Sequence, residues 1–394
     1  VMKLAEKDLI DLDQPATNYL HSWEFPDKTY PPEEITIRRL LSMNAGLPLG
    51  TVDVIYSPED NIPSLRDRLT EEAFLIKEPG SGFYYSNVSF NLLELLIEDV
   101  SSRDFAEFME SEILKPLGMN QSTYTWQNTL YPPVPTGYDL NGKPIPVYVY
   151  PEKGSGGLFA SVEDVASFAI AGMKENNSIK QGVLKPETIK QLYNPEVEII
   201  GFYSLAFDAY GLGHFIEILP DGNFTVSHGG QGSGIMTHFQ SFPDSGEGIV
   251  ILTNSQRSWP VFAYILRDWG NWLGYPSLGM SIIIMGQTLL YLLISLVLLI
   301  VIWQLWILIC GMLSGNRRFM PLSRNGLVLR IIKLFLAVIL TSLFIWSVNQ
   351  SYLFITSVFP KATGWLALTI IMSAITLYLY ALFPFIGTQR RNQR

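Results

Sequence analysis

The chain has 394 residues, with 27 Lys and Arg against 36 Asp and Glu, and a single cysteine. Residues 1–268 hold every acid and 18 of the basic residues, whereas residues 269–394 hold 9 basic residues and no acid. This composition excludes a disordered chain, a coiled coil, a collagen and a disulfide-stapled module. The acidic part is a poor nucleic-acid binder, because such binding needs cations that meet phosphates. With Cys310 alone, no intrachain disulfide and no cysteine-based zinc site is expected.

The sequence of the acidic part predicts helices first and strands after them. Helices are predicted over residues 71–76, 90–100, 105–114, 161–173 and 185–192. Apolar spacing supports the second of them, and a serine cap followed by Asp164 supports the fourth. Strand-like runs separated by hairpin turns follow over residues 210–219, 224–228, 234–242 and 248–253. A helix over residues 259–272 closes this part. Helices followed by an antiparallel meander predict one α+β domain over residues 1–273.

A membrane region is predicted over residues 278–394. Uncharged apolar runs suggest helices at about 286–312, 334–356 and 364–386. A bilayer core of about 30 Å needs about 20 helical residues, so each run is long enough to span. Buried core helices, the alternative, rarely stay apolar for so long. No acid or histidine lies within these runs, although transport pathways usually need such groups. The region is therefore predicted to be an anchor in the lipid bilayer and not a transporter.

Basic residues indicate the orientation of these helices. The cations are concentrated around the first short loop and at the C-terminus, namely at Arg317, Arg318, Arg324, Arg330 and Lys333, and at Arg390, Arg391 and Arg394. The loop between the second and third helices carries only Lys361. Positively charged loops stay in the cytoplasm. This predicts a multi-pass protein of the cell membrane with a cytoplasmic C-terminus and an extracytoplasmic acidic domain.

The first residues do not read as an export signal. The chain opens with Val1-Met2-Lys3-Leu4-Ala5-Glu6, without the apolar core of a signal peptide. Since an extracytoplasmic domain needs such a signal, the chain is expected to lack an N-terminal segment.

Two short clusters carry candidate chemistry, whereas metal, P-loop, dinucleotide and G-x-S-x-G motifs are absent from the sequence. The first is Tyr84-Tyr85-Ser86-Asn87, between a glycine turn and a helix. Alternate residues of an extended segment face the same side, so Tyr85 and Asn87 can point into one cleft. A phenol can relay a proton and an amide can hold a carbonyl. The alternative is a tyrosine with only a local structural hydrogen bond.

The second cluster is Ser227-His228-Gly229-Gly230-Gln231-Gly232, where a strand ends. Glycines let another backbone approach closely, and a strand edge offers N–H donors. This suits a substrate that docks as an extra strand, with one N–H directed at an oxyanion. The alternative is an ordinary glycine hairpin with a surface histidine.

Together and in this order, the clusters resemble the serine β-lactamase and penicillin-binding-protein superfamily, in its class C-like branch. The resemblance covers about residues 1–273. Further segments that fit it are Asp11-Leu12-Asp13-Gln14-Pro15, Leu114-Lys115-Pro116-Leu117-Gly118-Met119, Gly156-Gly157-Leu158 and Leu252-Thr253-Asn254. It implies a β-lactamase/DD-peptidase-like α+β fold, in which an antiparallel sheet with flanking helices joins a helical lobe.

The resemblance also implies site roles. Tyr85 would be the general acid/base and Asn87 a contact to the substrate amide. His228 would stand in for the lysine of the K-T-G motif, followed by Gly229 and Gly230, and would assist either Tyr85 or the substrate carboxylate. The backbone N–H of Gln231 would be half of an oxyanion hole. Neither a cofactor nor a metal is implied, and the substrate would be a peptide, ester or β-lactam.

One motif of the superfamily is missing. Its nucleophile is the serine of S-x-x-K, and no serine among the 394 residues has lysine three positions later. In the superfamily this motif lies just before the position that matches Val1. The chain as written is therefore expected to be inactive, and the complete protein to be a membrane-anchored extracytoplasmic serine hydrolase that forms an acyl-enzyme.

A second interpretation stays open. The fold could serve as a non-catalytic module that binds or senses wall peptides or β-lactams on a membrane anchor. The short inner loop over residues 314–325 argues against sensing, because it holds no output domain. The oligomeric state is not predicted.

Overall fold

A computed structural model describes residues 1–26, 29–52, 54–174, 183–275, 278–321, 326–350 and 353–386. The chain divides into two compact units. Unit 1 comprises Val1–Ser258 and Tyr264–Ser281, and unit 2 comprises Trp259–Ala263 and Ile282–Arg394. Unit 1 contains the β-sheet and most of the short helices, whereas unit 2 contains the long apolar helices.

Short helices make up much of the chain before the apolar tail. Among the described residues they are α1 Met2–Glu6, α2 Ile37–Leu41, α3 Leu65–Glu72, α4 Asn87–Ser101, α5 Phe105–Met109, α6 Lys153–Gly156, α7 Val162–Ala171, α8 Pro186–Leu192 and α9 Trp259–Leu273. Several begin where a side-chain oxygen accepts a hydrogen bond from a first-turn N–H. These capping residues are Thr36, Ser64, Ser86, Asp104 and Ser161.

The sheet is an antiparallel meander. The strands β1 Gly137–Tyr138 and β2 Pro144–Ile145 form a separate small ribbon, and the sheet itself contains, in chain order, β3 Ala209–Tyr210, β4 Phe215–Ile218, β5 Phe224–Gln231, β6 Met236–Phe242 and β7 Glu247–Thr253. The pairing of β4 with β5 ends at Phe215 and Ser227. The pairing of β5 with β6 continues to Gln231 and Met236. The last four residues of β5 therefore extend past β4.

Several clusters of buried apolar side chains hold unit 1 together, and two of them include residues from the segment before α4. The larger joins the first helices and includes Leu4, Ile35, Ile37, Leu40, Leu47, Leu69, Leu92, Leu95 and Leu96. The smaller consists of Met43, Ile200, Tyr210 and Phe215, with Tyr85 among the rings packed against it. Burial of each large apolar side chain contributes roughly 1.5–3 kcal/mol. The smaller cluster therefore fixes the segment before α4 against the sheet.

The predicted α+β class is confirmed, with local differences. The helix predicted over residues 71–76 is wrong, because α3 starts earlier, at a capping box between Ser64 and Asp67, and ends at Glu72. The helix predicted over residues 105–114 changes into a π-helical turn after Met109. The run over residues 210–219 divides into two strands, because Gly213 between them has a φ of +87°.

Unit 2 contains α10 Ile282–Leu313, α11 Leu327–Val348, α12 Phe354–Val358 and α13 Ala362–Leu382. Among the described residues, the helices long and apolar enough to cross a membrane are Gly279–Leu313, Leu327–Val348 and Ala362–Leu382. The second lies earlier than the predicted run at 334–356.

The buried side chain of Arg330 explains why α11 starts earlier than predicted. Arg330 is buried and donates hydrogen bonds to the carbonyl oxygens of Met320 at 2.5 Å, Pro321 at 3.1 Å and Ala381 at 2.7 Å. A guanidinium paired in this way does not have to end the helix. Four of the basic residues that predict the orientation of the helices lie outside the described residues, namely Arg324, Arg390, Arg391 and Arg394.

Polar side chains explain the early end of α11. The amide of Asn349 donates to the Ile345 carbonyl at 2.7 Å, and that of Gln350 donates to the Trp346 carbonyl at 3.2 Å. The last carbonyls of a helix lack partners within it, so such side chains favour a helix end.

A buried carboxyl joins two helices of unit 1. Glu94 in α4 is 2 % exposed, and its Oε2 accepts a hydrogen bond of 2.6 Å from the Gly154 N–H in α6. A Cβ at Gly154 would lie 2.7 Å from the Phe90 carbonyl oxygen, so glycine permits this approach. Burial raises the pKa of Glu94 to about 8, against the opposing effect of the Gly154 hydrogen bond.

Glu94→Gln should change how stability depends on pH. Because the folded pKa lies above the unfolded value near 4.5, the Glu94 contribution is complete below pH 4.5 and is lost as pH rises towards 8. Glutamine keeps an acceptor for Gly154 and carries no charge. The Tm of the full chain in detergent should therefore fall less between pH 5 and pH 8 in the variant than in the wild type. Glu107→Gln, at an exposed position of α5, is the control. Equal pH dependence in wild type and Glu94→Gln would contradict this assignment.

Candidate active site

Backbone hydrogen bonds place Tyr85 at the start of α4. The N–H of Tyr84 donates to the Met43 carbonyl at 2.7 Å, and the N–H of Asn87 donates to the Leu49 carbonyl at 3.0 Å. Ser86 between them is buried and caps α4 through its side chain. The segment is therefore held at both ends, which fixes the direction of the Tyr85 side chain.

The structure brings Tyr85 to His228. The Tyr85 Oη lies 3.3 Å from the His228 Nε2, although the two residues are 143 positions apart in the chain. The Tyr85 ring stacks on Tyr203 at 5.8 Å and on Phe215 at 6.3 Å, measured between ring centroids. The two sequence clusters thus meet in one place, within an aromatic enclosure.

The enclosure keeps both groups uncharged at neutral pH. Burial, with a smaller effect from Tyr203, holds the pKa of Tyr85 well above its usual value. Burial lowers the pKa of His228 to about 4, and a hydrogen bond with the Gly229 backbone only partly offsets this. A neutral phenol can donate a hydrogen bond to a neutral imidazole, whereas moving the proton between them would create a phenolate and an imidazolium, which this environment disfavours.

The end of β5 presents backbone groups on its open side. The Gly232 N–H donates to the Ile235 carbonyl across the hairpin at 2.9 Å. Opposed residues of an antiparallel pair alternate between hydrogen-bonded and non-hydrogen-bonded positions. The preceding pair, Gln231 with Met236, is therefore non-hydrogen-bonded, and the Gln231 N–H points away from β6. It is directed to the side on which β4 has ended.

The glycines of this cluster allow close packing. Gly230 pairs with Thr237 of β6, and a Cβ at Gly230 would lie 2.5 Å from the Thr237 Oγ1. A Cβ at Gly232 would lie 2.5 Å from the Tyr148 Oη. The strand end therefore requires small residues between its neighbours, whatever role Gly229 and Gly230 have towards a substrate.

Asn87 is the first residue of α4. Its side chain is half-buried, two residues beyond Tyr85 in the same segment. Hydrogen bonds fix its backbone, whereas its amide makes none that the described part of the chain shows. Its role towards a substrate amide stays a prediction.

Sequence reasoning missed Tyr203 and the other histidines of the sheet. Tyr203 lies in a short 3-10 helix, Gly201–Leu205, that carried no motif. His214 and His238 are buried, and burial lowers the pKa of each to about 4, with a further contribution from His228. Among the described residues, no group of three or more His, Cys, Asp or Glu is arranged to hold a metal ion.

The chain is similar to known proteins over this domain. The Beta-lactamase family model matches residues 1–267. Protein flp of Staphylococcus aureus (strain NCTC 8325 / PS 47) is 25% identical over 269 residues, covering 64% of this chain and 50% of that protein. The chain therefore spans half the length of this relative.

Solved structures share the fold. The octameric penicillin-binding protein homologue from Pyrococcus abyssi has a TM-score of 0.57 at 23% identity, covering 69% of this chain and 62% of that one. The penicillin binding protein from Bacillus halodurans has a TM-score of 0.51 at 25% identity, covering 64% of this chain and 76% of that one. The β-lactamase/DD-peptidase-like fold expected from the motifs is thereby confirmed.

Gly230→Ala should destabilise unit 1. The added methyl group would press on Thr237, and overpacking of this kind costs roughly 1–3 kcal/mol. Thr237→Ala removes the crowded oxygen, so the double variant should regain most of the lost Tm. Thermal unfolding of the full chain in detergent checks this, with Thr237→Ala alone as the control. A double variant as unstable as Gly230→Ala would show that the crowding lies elsewhere.

The His228 ring should stay neutral from pH 8 down to about pH 5, because burial lowers its pKa to about 4. NMR of the full chain with ¹⁵N-labelled histidine measures this, and His228→Gln assigns the signal. Tyr85→Phe removes the hydrogen bond and keeps the enclosure, so the low pKa of His228 should persist. A midpoint near 6.5 in the wild type would contradict the burial argument.

Proposed function

The chain belongs to the beta-lactamase family, and we propose that its folded domain forms the active site of a serine hydrolase. Its substrate is a peptide, ester or β-lactam carbonyl. The observation that carries the proposal is the contact of 3.3 Å between the Tyr85 Oη and the His228 Nε2, beside the strand end at Gln231. Acyl transfer needs a proton relay and an oxyanion donor at one place.

Each residue has a part in this proposal. The substrate docks along the open side of β5, where the Gln231 N–H donates to the carbonyl oxygen as it gains negative charge. The Asn87 amide holds the substrate amide. Tyr85 transfers the proton to the leaving group, and His228 accepts a hydrogen bond from Tyr85 and so holds the phenol in place.

The acylation step requires a serine and a lysine. The serine oxygen forms a bond to the carbonyl carbon, the bond to the leaving group breaks, and the serine proton passes through Tyr85 to that group. Water then releases the acyl group. Because S-x-x-K spacing does not occur in the 394 residues, the step needs both groups from outside this sequence. A lysine cation beside Tyr85 would also lower the pKa of the phenol towards a useful range.

The proposed location is the outer face of a cell membrane. Arg317 and Arg330 near the first loop donate to the carbonyls of Phe383 and Ala381 at the end of α13. Lys333 lies over the Tyr380 ring, 5.3 Å from its centroid. The cations near the first loop therefore lie on the same side of unit 2 as the end of the third helix. This supports a cytoplasmic position for both, and an extracytoplasmic position for the hydrolase domain.

A non-catalytic role is the second candidate. It is favoured by the absence of S-x-x-K from the sequence and by the raised pKa of Tyr85, which opposes a phenolate base. In this role the open side of β5 would bind wall peptides or β-lactams without cleaving them.

Sequencing of the coding DNA upstream of the Val1 codon separates the two roles. If S-x-x-K is in frame, the longer chain should be labelled covalently by a fluorescent penicillin or should hydrolyse a p-nitrophenyl ester. Tyr85→Phe should slow acylation by roughly 10²–10⁴-fold, the usual contribution of a general acid or base. Tyr84→Phe, the neighbouring tyrosine, is the matched control and should react at the wild-type rate.

Two results would contradict the hydrolase proposal. One is an upstream frame without the motif. The other is a longer chain that neither takes the label nor cleaves the ester. Reversible binding of a D-alanyl peptide or a β-lactam to either protein would then favour the binding module.

A further inference from the structure

Exposed apolar side chains lie beside the candidate site. Ile199, Phe202 and Leu205 are 84%, 64% and 59% exposed, and they form what we name the apolar rim. Phe202 and Leu205 share the 3-10 helix Gly201–Leu205 with Tyr203, whose ring stacks on Tyr85. Apolar groups clustered in water are costly unless a partner covers them. The rim therefore indicates a contact surface at the edge of the site.

The rim adjoins the point where the chain leaves unit 1. A Cβ at Gly279 would collide with the carbonyl oxygen of Ala206, the residue after the rim, so the two backbones touch. The Gly279 N–H donates to the Glu217 Oε1 at 2.6 Å, and Glu217 is a buried residue of β4. Apolar α10 begins at Ile282. Only three positions of the chain therefore separate Gly279, which touches the residue after the rim, from the first residue of α10.

An exposed tryptophan marks the same end of unit 1. Trp272, near the end of α9, is 81% exposed. In the same turn, a Cβ at Gly270 would lie 2.9 Å from the Leu278 side chain, next to Gly279. Tryptophan is enriched where proteins meet the boundary between lipid headgroups and acyl chains.

Charge also distinguishes the kind of partner. Residues 191–256 contain no lysine or arginine, so the segment that holds the apolar rim brings no cation of its own for anionic lipid headgroups. Attraction must come from burial of the apolar side chains, which is insensitive to headgroup charge.

We propose that the apolar rim and Trp272 insert into the headgroup and acyl boundary of the bilayer, so that the candidate site opens at the membrane surface. The inference about substrate rests on the proposed hydrolase function. For such a hydrolase, this position favours an amphiphilic substrate, with its apolar part in the lipid and its carbonyl at Tyr85. The surface itself does not depend on catalysis, and its test measures position and not turnover.

Site-directed spin labelling of the full chain in phosphatidylcholine nanodiscs tests the proposal. Cys310→Ser removes the native thiol, and Phe202→Cys or Leu205→Cys then carries the nitroxide. Phe74→Cys, in the helical lobe, is the matched control, since Phe74 is an exposed aromatic at 44%. Relative to the control, labels on the rim should show a several-fold higher ratio of collisions with oxygen to collisions with a water-soluble nickel chelate. Phosphatidylglycerol added to the nanodiscs should leave this ratio unchanged.

Two outcomes would overturn the proposal. Rim labels that meet the nickel chelate as often as the control label would place the rim in water. Spin–spin broadening between rim labels that disappears on dilution with unlabelled protein would assign the rim to a second copy of this chain. Either result leaves the hydrolase proposal untouched, because acylation is measured separately.

Discussion

The hydrogen bond between Tyr85 and His228 depends on the aromatic rings that pack around these two half-buried side chains. Stacked rings of Tyr203 and Phe215 surround the pair and make the charged form of each group unfavourable. Phe215 belongs to the small core cluster that holds the segment before α4 to the sheet, and the Tyr85 ring packs against that cluster. The position of the pair and its neutrality therefore have one cause. A change that admits water would move the side chains and their pKa values together.

Much of the site could be predicted because its signals are local. A glycine turn before Tyr85, a serine cap at Ser86 and a glycine-rich strand end after His228 each lie within a few residues. Their order along the chain pointed to the superfamily. What brings Tyr85 to His228, however, is the packing of residues far apart in sequence, and no spacing rule could give the distance.

The misplaced elements show the same limit. The second apolar helix was predicted to start after Lys333, since charges usually bound a membrane span. In the structure Arg330 donates a hydrogen bond to the carbonyl oxygen of Ala381 near the end of α13, 51 positions away in the chain. Tyr203 could not be predicted as a site residue, because its short helix has no periodic pattern. Only its stacking on Tyr85 places it at the site. Both the start of α11 and the place of Tyr203 in the site depend on contacts with residues distant in sequence.

The buried histidines of the sheet have a consequence for how the fold tolerates acid. With a pKa of about 4, His214, His228 and His238 are neutral when folded and take up protons on unfolding between about pH 4 and 6.5. With pKa values of about 8 and 7, the buried carboxyls of Glu94 and Glu217 release protons on unfolding above pH 4.5. Stability changes with pH only through the net number of protons exchanged. Where these ranges overlap, the uptake by three imidazoles opposes the release from two carboxyls, so the folding equilibrium depends on acidity less than either set of groups alone would make it.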